Sequence, residues 1–533
     1  MNGKDKRHAS GDVVAIAGDV NGDGFDDVLV GAHSVERDGL TFVGESYLVF
    51  GRADGFASPT TFVPEGGGFT MTGIGAGDYS GVSVSSAGDV NGDGFHDVLV
   101  GAEGADPNGL DRAGASYVVF GNDALGSTVP LSSLDGTSGF RLDGFTAEQV
   151  SGGNVSSAGD VNGDGFGDLL IGVSADIPAQ LHEAYVVYGG PGPFPEAISL
   201  SDLDGSNGFR LPGLSDRFTV GQAGDVNGDG FDDLVIGALD EAFLVFGRDG
   251  GLGESQALSS LDGLTGLRIS GLSGLASVGS AGDVDNDGFD DVIIAALDDK
   301  TYVIFGRAGR FPGTLDVASL DGNDGLRVTT IESDLDGPHA VSSAGDVNGD
   351  GFDDILIGAS LADIDGTDDV GQTLVIFGRS GGFDANLDAS LLTGSAMLRI
   401  NGFADQSNSG SNKPPQSGSS VSNAGDVNGD GFDDVLIGAP YADVGYLPDA
   451  GRSYVVYGGD FTGAVTHLGT DDDDTLSGTP QAQVIIGGQG NDQSDRRRWQ
   501  RRAARRPGRR RIGHQRHGLC ASGGRPRYGH PAP

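Results

Sequence analysis

A nine-residue pattern rich in aspartate recurs seven times along the chain and carries the clearest chemistry in the sequence. In the last copy, DVNGDGFDD, positions one, three, five and nine are Asp426, Asn428, Asp430 and Asp434. Odd spacing lets alternate side chains turn toward one centre, and the intervening glycines permit the tight curl that this requires. Such a set of oxygen ligands predicts a site for a hard cation.

The seven copies, numbered loops 1 to 7, span residues 19–27, 89–97, 160–168, 225–233, 283–291, 346–354 and 426–434. Position seven is always phenylalanine, whose carbonyl is a further predicted ligand while its ring packs between sheets. Loop 5 moves its asparagine to position four and puts Asp285 at position three, so the ligand pattern survives. Position nine is always Asp, whereas position eight varies. It is Asp26, His96, Gly167, Asp232, Asp290, Asp353 and Asp433 in turn.

Three or four carboxylates in each loop, without a histidine or cysteine set, favour Ca²⁺ over Mg²⁺ and Zn²⁺. We expect up to seven calcium ions, one per loop, and a mainly structural role for them. The predicted ligands are Asp19, Asn21, Asp23, Phe25, Asp27, Asp89, Asn91, Asp93, Phe95, Asp97, Asp160, Asn162, Asp164, Phe166, Asp168, Asp225, Asn227, Asp229, Phe231, Asp233, Asp283, Asp285, Asp287, Phe289, Asp291, Asp346, Asn348, Asp350, Phe352, Asp354, Asp426, Asn428, Asp430, Phe432 and Asp434.

An EF-hand and an ordinary hairpin turn are the alternatives to a calcium site of this kind. An EF-hand needs a bidentate Glu at position twelve, where every copy has Val or Ile, and it needs flanking helices rather than strands. An ordinary Asn-Gly or Asp-Gly hairpin turn explains any single copy. It does not explain why seven copies keep aspartate at position nine and not at position eight.

Short β-branched or apolar runs separated by Gly, Asp and Ser surround each loop. In the second module GVSVSSAGD leads into the loop, FHDVLVGA follows, and SYVVFG and GFRLDGF come later, which predicts four antiparallel strands. Successive loops begin 58 to 80 residues apart, and no helical period is evident. We therefore predict an all-β fold, a seven-bladed β-propeller of four-stranded antiparallel blades. An array of β-sandwiches is the alternative.

The fourth strand has only six clear copies for seven loops: FTMTGI, FRLDGF, FRLPGL, LRISGL, LRVTTI and LRINGF. No counterpart follows Gly459, whereas Met1, Asn2 and Gly3 resemble the end of LRING. We therefore expect an incomplete last blade, which the N-terminal strand of a longer parent would complete, because a closed ring protects its strand edges. In this chain we expect an open seam between the first and last blades.

The charge and the cysteine count restrict the function further. The chain has 77 acidic and 32 basic residues and a net charge of −45, which argues against nucleic acid or an anionic membrane as the main partner. One cysteine, Cys520, excludes an intrachain disulfide framework. No apolar run is long enough to span a membrane, and the first residues lack the apolar core of a secretory signal.

Seven units of the form xSVSSAGDxNGDGxxDxLxGAP resemble FG-GAP repeats, the blades of the integrin alpha-chain N-terminal propeller and of many bacterial surface proteins. The resemblance covers residues 11–459, but GAP is intact only at Gly438, Ala439 and Pro440. It implies an extracellular or cell-surface module for calcium-dependent adhesion or ligand binding. The sequence has no HExxH motif, and we expect no enzymatic activity. The partner is then an unknown extracellular protein or glycan, and the oligomeric state stays undefined. The alternatives are a passive surface or matrix scaffold and the propeller of a secreted hydrolase.

The resemblance also indicates a binding face. In an up-and-down blade, the connections between strands one and two share a face with those between strands three and four. The remaining connections lie on the opposite face and are long in modules one, two, six and seven, including 363–370, 403–418 and 441–451. We expect the partner to bind over this long-loop sector.

The C-terminal region differs from the predicted propeller at residues 1–459. Residues 460–492 contain GGQGND, which resembles the start of an RTX (hemolysin-type) calcium-binding nonapeptide and suggests export by a C-terminal-signal route. Residues 493–533 hold 13 of the 32 basic residues. One codon choice for their RRRWQRR reads GDGGND after a one-base shift. We therefore predict a frameshift after Asp492 and a disordered tail.

Overall fold

Seven small sheets surround a common centre. The computed structural model describes residues 1–5, 8–56, 67–174, 182–215, 217–275, 277–298, 300–329, 339–364, 366–402, 413–461, 465–468, 475–477, 484–486 and 493–495. The first strands of neighbouring sheets contact one another around the whole ring, and the first strand of the last sheet contacts that of the first sheet. Each sheet is therefore one blade of a seven-bladed propeller, as predicted.

The strands of the seven modules follow in chain order. Modules one to three contain β1 (Val13–Gly18), β2 (Asp27–Ala32), β3 (Glu45–Val49), β4 (Gly68–Thr72), β5 (Ser83–Gly88), β6 (Asp97–Ala102), β7 (Ala115–Val119), β8 (Thr128–Pro130), β9 (Gly139–Asp143), β10 (Ser151–Gly159), β11 (Asp168–Val173), β12 (His182–Val187), β13 (Ala197–Ser199) and β14 (Gly208–Leu214). Modules four to seven contain β15 (Phe218–Gly224), β16 (Asp233–Ala238), β17 (Glu241–Val245), β18 (Gly266–Ser270), β19 (Ser277–Gly282), β20 (Asp291–Ala295), β21 (Lys300–Ile304), β22 (Thr314–Asp316), β23 (Gly325–Thr329), β24 (His339–Gly345), β25 (Asp354–Ala359), β26 (Gln372–Ile376), β27 (Asn386–Asp388), β28 (Met397–Asn401), β29 (Val421–Gly425), β30 (Asp434–Ala439) and β31 (Arg452–Val456).

A few short elements complete the described chain. Four strands follow the propeller: β32 (Val465–Leu468), β33 (Thr475–Ser477), β34 (Val484–Ile486) and β35 (Gln493–Asp495). The described helices are single 3₁₀ turns at Pro107–Gly109, Leu131–Ser133, Leu200–Asp202, Leu258–Ser260, Val317–Ser319 and Ala389–Leu391. The fold is therefore all-β, as predicted.

The blades differ in their outermost strand. Blades 1, 2, 4 and 5 have five strands, because a short strand from the following module pairs in parallel with strand four, as Thr128 of β8 pairs with Thr70 of β4. Among the residues that the structure describes, blades 3 and 6 have four strands and blade 7 has three. The prediction of four antiparallel strands thus missed a parallel strand that covers an otherwise open edge. The prediction of an incomplete last blade is confirmed.

Strand two of each blade is buried along its whole length. Its sequence, such as DVLVGA, is apolar at consecutive positions because both of its faces pack against neighbouring blades. One apolar cluster joins Val235 and Leu244 of blade 4 to Ile294 and Tyr302 of blade 5. The hydrophobic core therefore lies between the blades. Each buried aliphatic side chain in it contributes about 1.5–3 kcal/mol to stability.

The N-terminal residues occupy the outer edge of blade 7. Asn2 bridges to Arg452 in antiparallel fashion, and the Gly3 amide donates to the Gly451 carbonyl at 2.9 Å. In blade 6 the corresponding bond joins Gly402 and Gly371 at 2.8 Å. The resemblance of residues 1–3 to the end of LRING is therefore a structural equivalence as well.

The expected open seam between blades 7 and 1 is absent from the described inner strands. The Val14 amide donates to Ser420 Oγ at 3.0 Å, and the Arg52 amide donates to the Val427 carbonyl at 2.8 Å. The expectation was wrong because these bonds join the inner strands and the connections between strands one and two, which are present in blade 7.

The glycine before each loop gives a first test of this packing. Gly159 has φ +72°, and a Cβ there would lie 2.2 Å from Asp232 Oδ2 of the next blade. Gly250 has φ +73° with no neighbouring atom within 4 Å. We expect Gly250→Ala to cost about 1–2 kcal/mol through backbone strain alone. Gly159→Ala should cost at least about 1–3 kcal/mol more by urea denaturation, because the blades must separate. Equal costs would contradict the packing.

Candidate metal centre

The seven predicted loops connect strands one and two of their blades, so all of them lie on one face of the ring. In loop 1, Asp19 Oδ1 accepts hydrogen bonds from the amides of Gly22 at 2.6 Å and Asp23 at 3.0 Å. Its Oδ2 accepts from the Gly24 amide at 2.9 Å. The bond from position six to position one recurs in all seven loops. The first carboxylate is therefore the centre around which each loop curls.

Positions three and five face the same interior. In loop 1, Asn21 Oδ1 accepts from the Asp23 amide at 2.8 Å, and Asp23 Oδ1 accepts from the Phe25 amide at 3.0 Å. The second of these bonds recurs in every loop. The structure thus brings together the side chains at positions one, three and five, while their role as metal ligands stays a prediction.

Loop 5 shows how closely these acidic groups approach. Asp283, Asp285 and Asp287 each offer a carboxylate oxygen, and these oxygens all lie within 4.8 Å of one another. Burial, followed by repulsion from Asp287 and Asp285, raises the pKa of Asp283 to about 6, although backbone hydrogen bonds oppose the change. A divalent cation between the three groups would offset this repulsion.

Position nine has a structural role that the sequence did not reveal. In blade 3, Asp168 Oδ2 accepts from the Val161 amide at 3.0 Å and Oδ1 accepts from the Gly189 amide at 2.9 Å. The equivalent pair of bonds is made by Asp27, Asp97, Asp233, Asp291, Asp354 and Asp434, all of them fully buried. Each oxygen keeps a second lone pair, so the predicted ligand role is compatible with this clamp.

A sequence signal for this clamp existed. The glycine that donates the second bond follows strand three in all seven modules, in VFG, VYG or IFG. The loop pattern by itself predicts position nine only as a metal ligand, because the partner glycine lies 14 to 24 residues later in the chain.

Burial gives the position-nine carboxyls abnormal titration. Desolvation, with smaller contributions from the loop aspartates, raises the pKa of Asp97, Asp168 and Asp233 to about 8 and that of Asp434 to about 9. The two backbone amides that each carboxyl accepts from lower the pKa but do not offset the burial. A cation bound beside these carboxyls would favour their ionised form.

Two further observations fit a cation that prefers oxygen. Asn348 of loop 6 is fully buried, and its Oδ1 accepts no hydrogen bond from the described residues, while its Nδ2 lies 3.4 Å from Asp354 Oδ1. Such an oxygen costs about 1–3 kcal/mol unless something binds it. The side-chain donors at positions one, three, five and nine are all carboxylates or amides. These donors fit Ca²⁺ or Mg²⁺ better than zinc.

The predicted phenylalanine packing between blades is also present. The ring of Phe166 covers Gly92, the fourth residue of the preceding loop, where a Cβ would lie 2.4 Å from the ring. Phe95, Phe231 and Phe289 cover the equivalent glycines of their neighbours. Consecutive loops are therefore in contact through position seven.

The opposite face carries most of the exposed large apolar side chains among the described residues. Seven of these residues lie in connections between strands two and three or between blades: Leu40, Phe42, Ile74, Phe145, Leu239, Leu297 and Tyr446. Phe42 stacks on Tyr79 with a centroid distance of 5.3 Å and is 42% exposed, and Tyr446 is 86% exposed. We call these seven residues the loop-face patch. Of the predicted long loops, 403–412 lies outside the described residues.

Comparisons with known proteins agree with this architecture. The FG-GAP repeat model matches residues 10–49, 80–119, 152–188, 219–254, 338–376 and 417–456. Six of the seven modules are thus matched, and together the matches cover less than half of the chain. The fifth module carries its loop at residues 283–291, outside the matched segments.

Several relatives match over part of their length. Integrin alpha-PS2 of Drosophila melanogaster is 30% identical over 191 residues, which is 34% of this chain and 13% of the relative. Integrin alpha-5 of Xenopus laevis is 31% identical over 172 residues, 30% of this chain and 15% of the relative. The phosphatidylinositol-glycan-specific phospholipase D of Homo sapiens is 35% identical over 160 residues, 28% of this chain and 17% of the relative.

These similarities and the repeat matches support the FG-GAP β-propeller family. The chain spans less than a fifth of the length of these relatives. Among the described residues, no helix combines the length and apolar character needed to cross a bilayer.

The buried Asp168 carboxyl predicts a specific pH dependence in the presence of a chelator. Its pKa of about 8 in the folded protein lies above its ordinary value of 3.8, so the stability it contributes is full below pH 3.8 and is lost as the pH rises through 8. Asp168→Asn removes this titration. Between pH 5 and pH 9 the free energy of unfolding of the variant should therefore fall less than that of the wild type. The difference should be at least about 1.4 kcal/mol, the equivalent of one pKa unit.

Asp262→Asn is the matched control at an exposed position. Backbone hydrogen bonds from Leu264 and Thr265 hold the pKa of Asp262 below its usual value, so it does not titrate between pH 5 and pH 9 and the variant should keep the wild-type slope. Urea denaturation at each pH measures all three proteins. Parallel curves for Asp168→Asn and the wild type would contradict the buried, charge-poor environment of Asp168.

Proposed function

We propose that this chain is an extracellular calcium-binding propeller that acts as an adhesion or ligand-binding module. Calcium would brace each blade, and a partner would bind the opposite face. The observation that supports this most is the recurrence, in seven loops, of a curled backbone with carboxylates at positions one and five directed into it. The role is non-catalytic.

The choice of Ca²⁺ follows from the donors and their charge. Each loop offers three or four carboxylates together with a carbonyl at position seven, which suits the flexible oxygen coordination of Ca²⁺ better than the strict octahedron of Mg²⁺. When bound, the ion would supply positive charge to carboxylates that otherwise repel one another. At a free concentration 100 times its dissociation constant, one such site adds about 2.7 kcal/mol of stability.

The extracellular setting draws on the relatives and on composition. The integrin alpha similarities suggest an adhesion role and a location outside the cell or at its surface. Outside the cell, where calcium is abundant, the loops would fill even at low affinity. Bound calcium would then stabilise a chain whose only cysteine, Cys520, cannot form an intrachain disulfide. Since the chain spans a small share of these relatives, the partner is proposed only as an extracellular protein or glycan.

The loop-face patch is the proposed recognition surface. Exposed aromatic side chains are typical anchors of protein and glycan interfaces, because they bury a large area at low entropic cost. Phe42 and Tyr79 lie on connections from blades 1 and 2, and Tyr446 on a connection of blade 7, within the sector where long connections were predicted. The metal loops occupy the other face, so recognition and bracing would be spatially separate.

The C-terminal region is proposed as an RTX-like calcium segment over residues 460–492, with export by a C-terminal-signal route. A parallel pairing within this segment supports it: β32 pairs with β34, and His467 lies opposite Ile485, eighteen residues later. Two nonapeptides per turn would give this offset. A frameshift after Asp492 is also proposed, and it would affect residues 493–533. Of these, residues 496–533 lie outside the described part of the chain.

The propeller of a secreted hydrolase is the second candidate, because one relative is a phosphatidylinositol-glycan-specific phospholipase D. A passive scaffold is the third. Turnover of a phosphatidylinositol-glycan substrate by the purified chain would favour the hydrolase. Failure to bind any defined glycan or protein would favour the scaffold.

Removal of calcium tests the bracing role. At pH 8, where more of the loop carboxyls are ionised, a chelator should lower the melting temperature strongly, and re-added Ca²⁺ should restore it. At pH 5 the effect should be smaller, because protonation relieves the same repulsion in the absence of metal. Differential scanning calorimetry measures both conditions. A melting temperature at pH 8 that chelation leaves unchanged would reject calcium as the brace.

Substitutions in the loop-face patch test its proposed role in recognition. The wild-type protein is screened with calcium on an array of immobilised glycans and extracellular-matrix proteins, and the strongest ligand is retained. Phe42→Ser and Tyr446→Ser should each weaken that binding by at least about tenfold, the loss expected for an aromatic anchor. Leu391→Ser is the control, since Leu391 is 77% exposed on a connection between strands three and four. Equal binding by all three variants would place recognition elsewhere.

A further inference from the structure

Position eight of each loop, which the sequence pattern excluded as a ligand, connects neighbouring blades. Asp290 of loop 5 lies between two predicted ligands of its own loop, Phe289 and Asp291. Its Oδ2 accepts a hydrogen bond at 2.9 Å from the amide of Asp225, position one of loop 4. In return the Asp290 amide donates to the Asp225 carbonyl at 3.3 Å. Two bonds therefore join the ligand-bearing segments of adjacent loops.

The carboxylate bond recurs at five of the seven blade boundaries. The acceptor and donor pairs are Asp232 with Asp160 at 2.7 Å, Asp290 with Asp225 at 2.9 Å, Asp353 with Asp283 at 2.9 Å, Asp433 with Asp346 at 2.8 Å, and Asp26 with Asp426 at 3.0 Å. The last pair crosses from blade 1 to blade 7 and continues the series around the ring. Loops 3, 4, 5, 6, 7 and 1 thus form one linked series.

Loop 2 lacks this bond on both sides. The boundary with loop 1 has His96 at position eight, and the boundary with loop 3 has Gly167. The backbone half of the connection persists at both, at 3.1 Å from His96 to Asp19 and 2.9 Å from Gly167 to Asp89. Of the two paired hydrogen bonds, only the one to the carboxylate is therefore missing at the two boundaries of loop 2.

The surrounding packing keeps the position-eight side chain in place. A Cβ on Gly224, the residue before loop 4, would lie 2.3 Å from Asp290 Oδ2. A Cβ on Gly228, within loop 4, would lie 2.1 Å from the ring of Phe289. Both residues of loop 5 thus fit against glycines, and neither can move without disturbing loop 4.

We propose that the position-eight aspartates are positioning residues that couple cation binding between adjacent loops. Ordering of loop 5 by its ion would fix Asp290, which holds the first ligand residue of loop 4 in place, and the coupling acts equally in the reverse direction. Loops 3, 4, 5, 6, 7 and 1 then fill cooperatively, whereas loop 2 fills independently. This proposal rests on the proposed calcium function.

Hydrogen exchange with mass spectrometry on the full chain tests it, because each loop gives its own peptide. Protection of each loop is followed as CaCl₂ is added to metal-free protein. Asp287→Ala removes a ligand from loop 5, and the calcium midpoint for protection of loop 4 should rise at least about fivefold, the lower range of measured couplings. In the matched control, Asp93→Ala removes the same ligand from loop 2, and the loop 1 midpoint should change less than about twofold.

Variants of position eight separate the coupling from loss of a ligand. Asp290→Ala should raise the loop 4 midpoint as Asp287→Ala does, and Asp290→Asn should rescue it, because the amide oxygen still accepts the bond. His96→Asp adds the missing carboxylate at the boundary between loops 1 and 2. In the double variant His96→Asp with Asp93→Ala, the calcium midpoint for protection of loop 1 should therefore rise. This gain at a natural gap tests the proposal even if Asp290→Ala fails to fold.

The outcomes distinguish this proposal from the calcium function itself. Wild-type loops that gain protection with calcium, combined with an unchanged loop 4 in Asp287→Ala, would overturn the coupling and leave the calcium function intact. Wild-type loops that gain no protection from calcium would overturn both.

Discussion

A buried carboxylate at the start of strand two is the constraint on which each blade depends. It accepts one amide from its own loop and one from the glycine after strand three, so it joins the loop to two strands at a single point. Such a group is stable in a protein interior only when hydrogen bonds and opposite charge compensate for its lost hydration. The amides provide the first, and the proposed ion provides the second.

This arrangement explains how the two faces of the ring can differ. The metal-loop face is built from repeated contacts: carboxylate to amide within each blade, and position seven or eight to the preceding blade. Those contacts leave little freedom for sequence change. The connections on the opposite face vary in length and carry exposed residues such as Phe42 and Tyr446. The binding specificity of this face could therefore vary while the proposed calcium-binding loops on the other face stay the same.

Repetition determined how much the sequence could predict. Seven copies compared with one another gave the blade number, the inward positions of each loop and the incomplete last blade. Position nine was recognised as invariant, but its clamp was missed because the donor glycine, such as Gly189, lies far along the chain. The parallel fifth strands, such as Thr128–Pro130, are only three residues long and too short for a periodic pattern. The contacts of position eight were missed because they join separate blades, and its loss of Asp at His96 and Gly167 resembled simple variability.

We propose that each loop holds a calcium ion among the carboxylates that it gathers. The most direct measurement is anomalous X-ray scattering from crystals grown with calcium, recorded at a wavelength where calcium contributes a measurable signal. We predict one anomalous peak inside each loop, bounded by the side chains of positions one, three, five and nine. Loops that keep their hydrogen bonds but show no peak at millimolar calcium would contradict it.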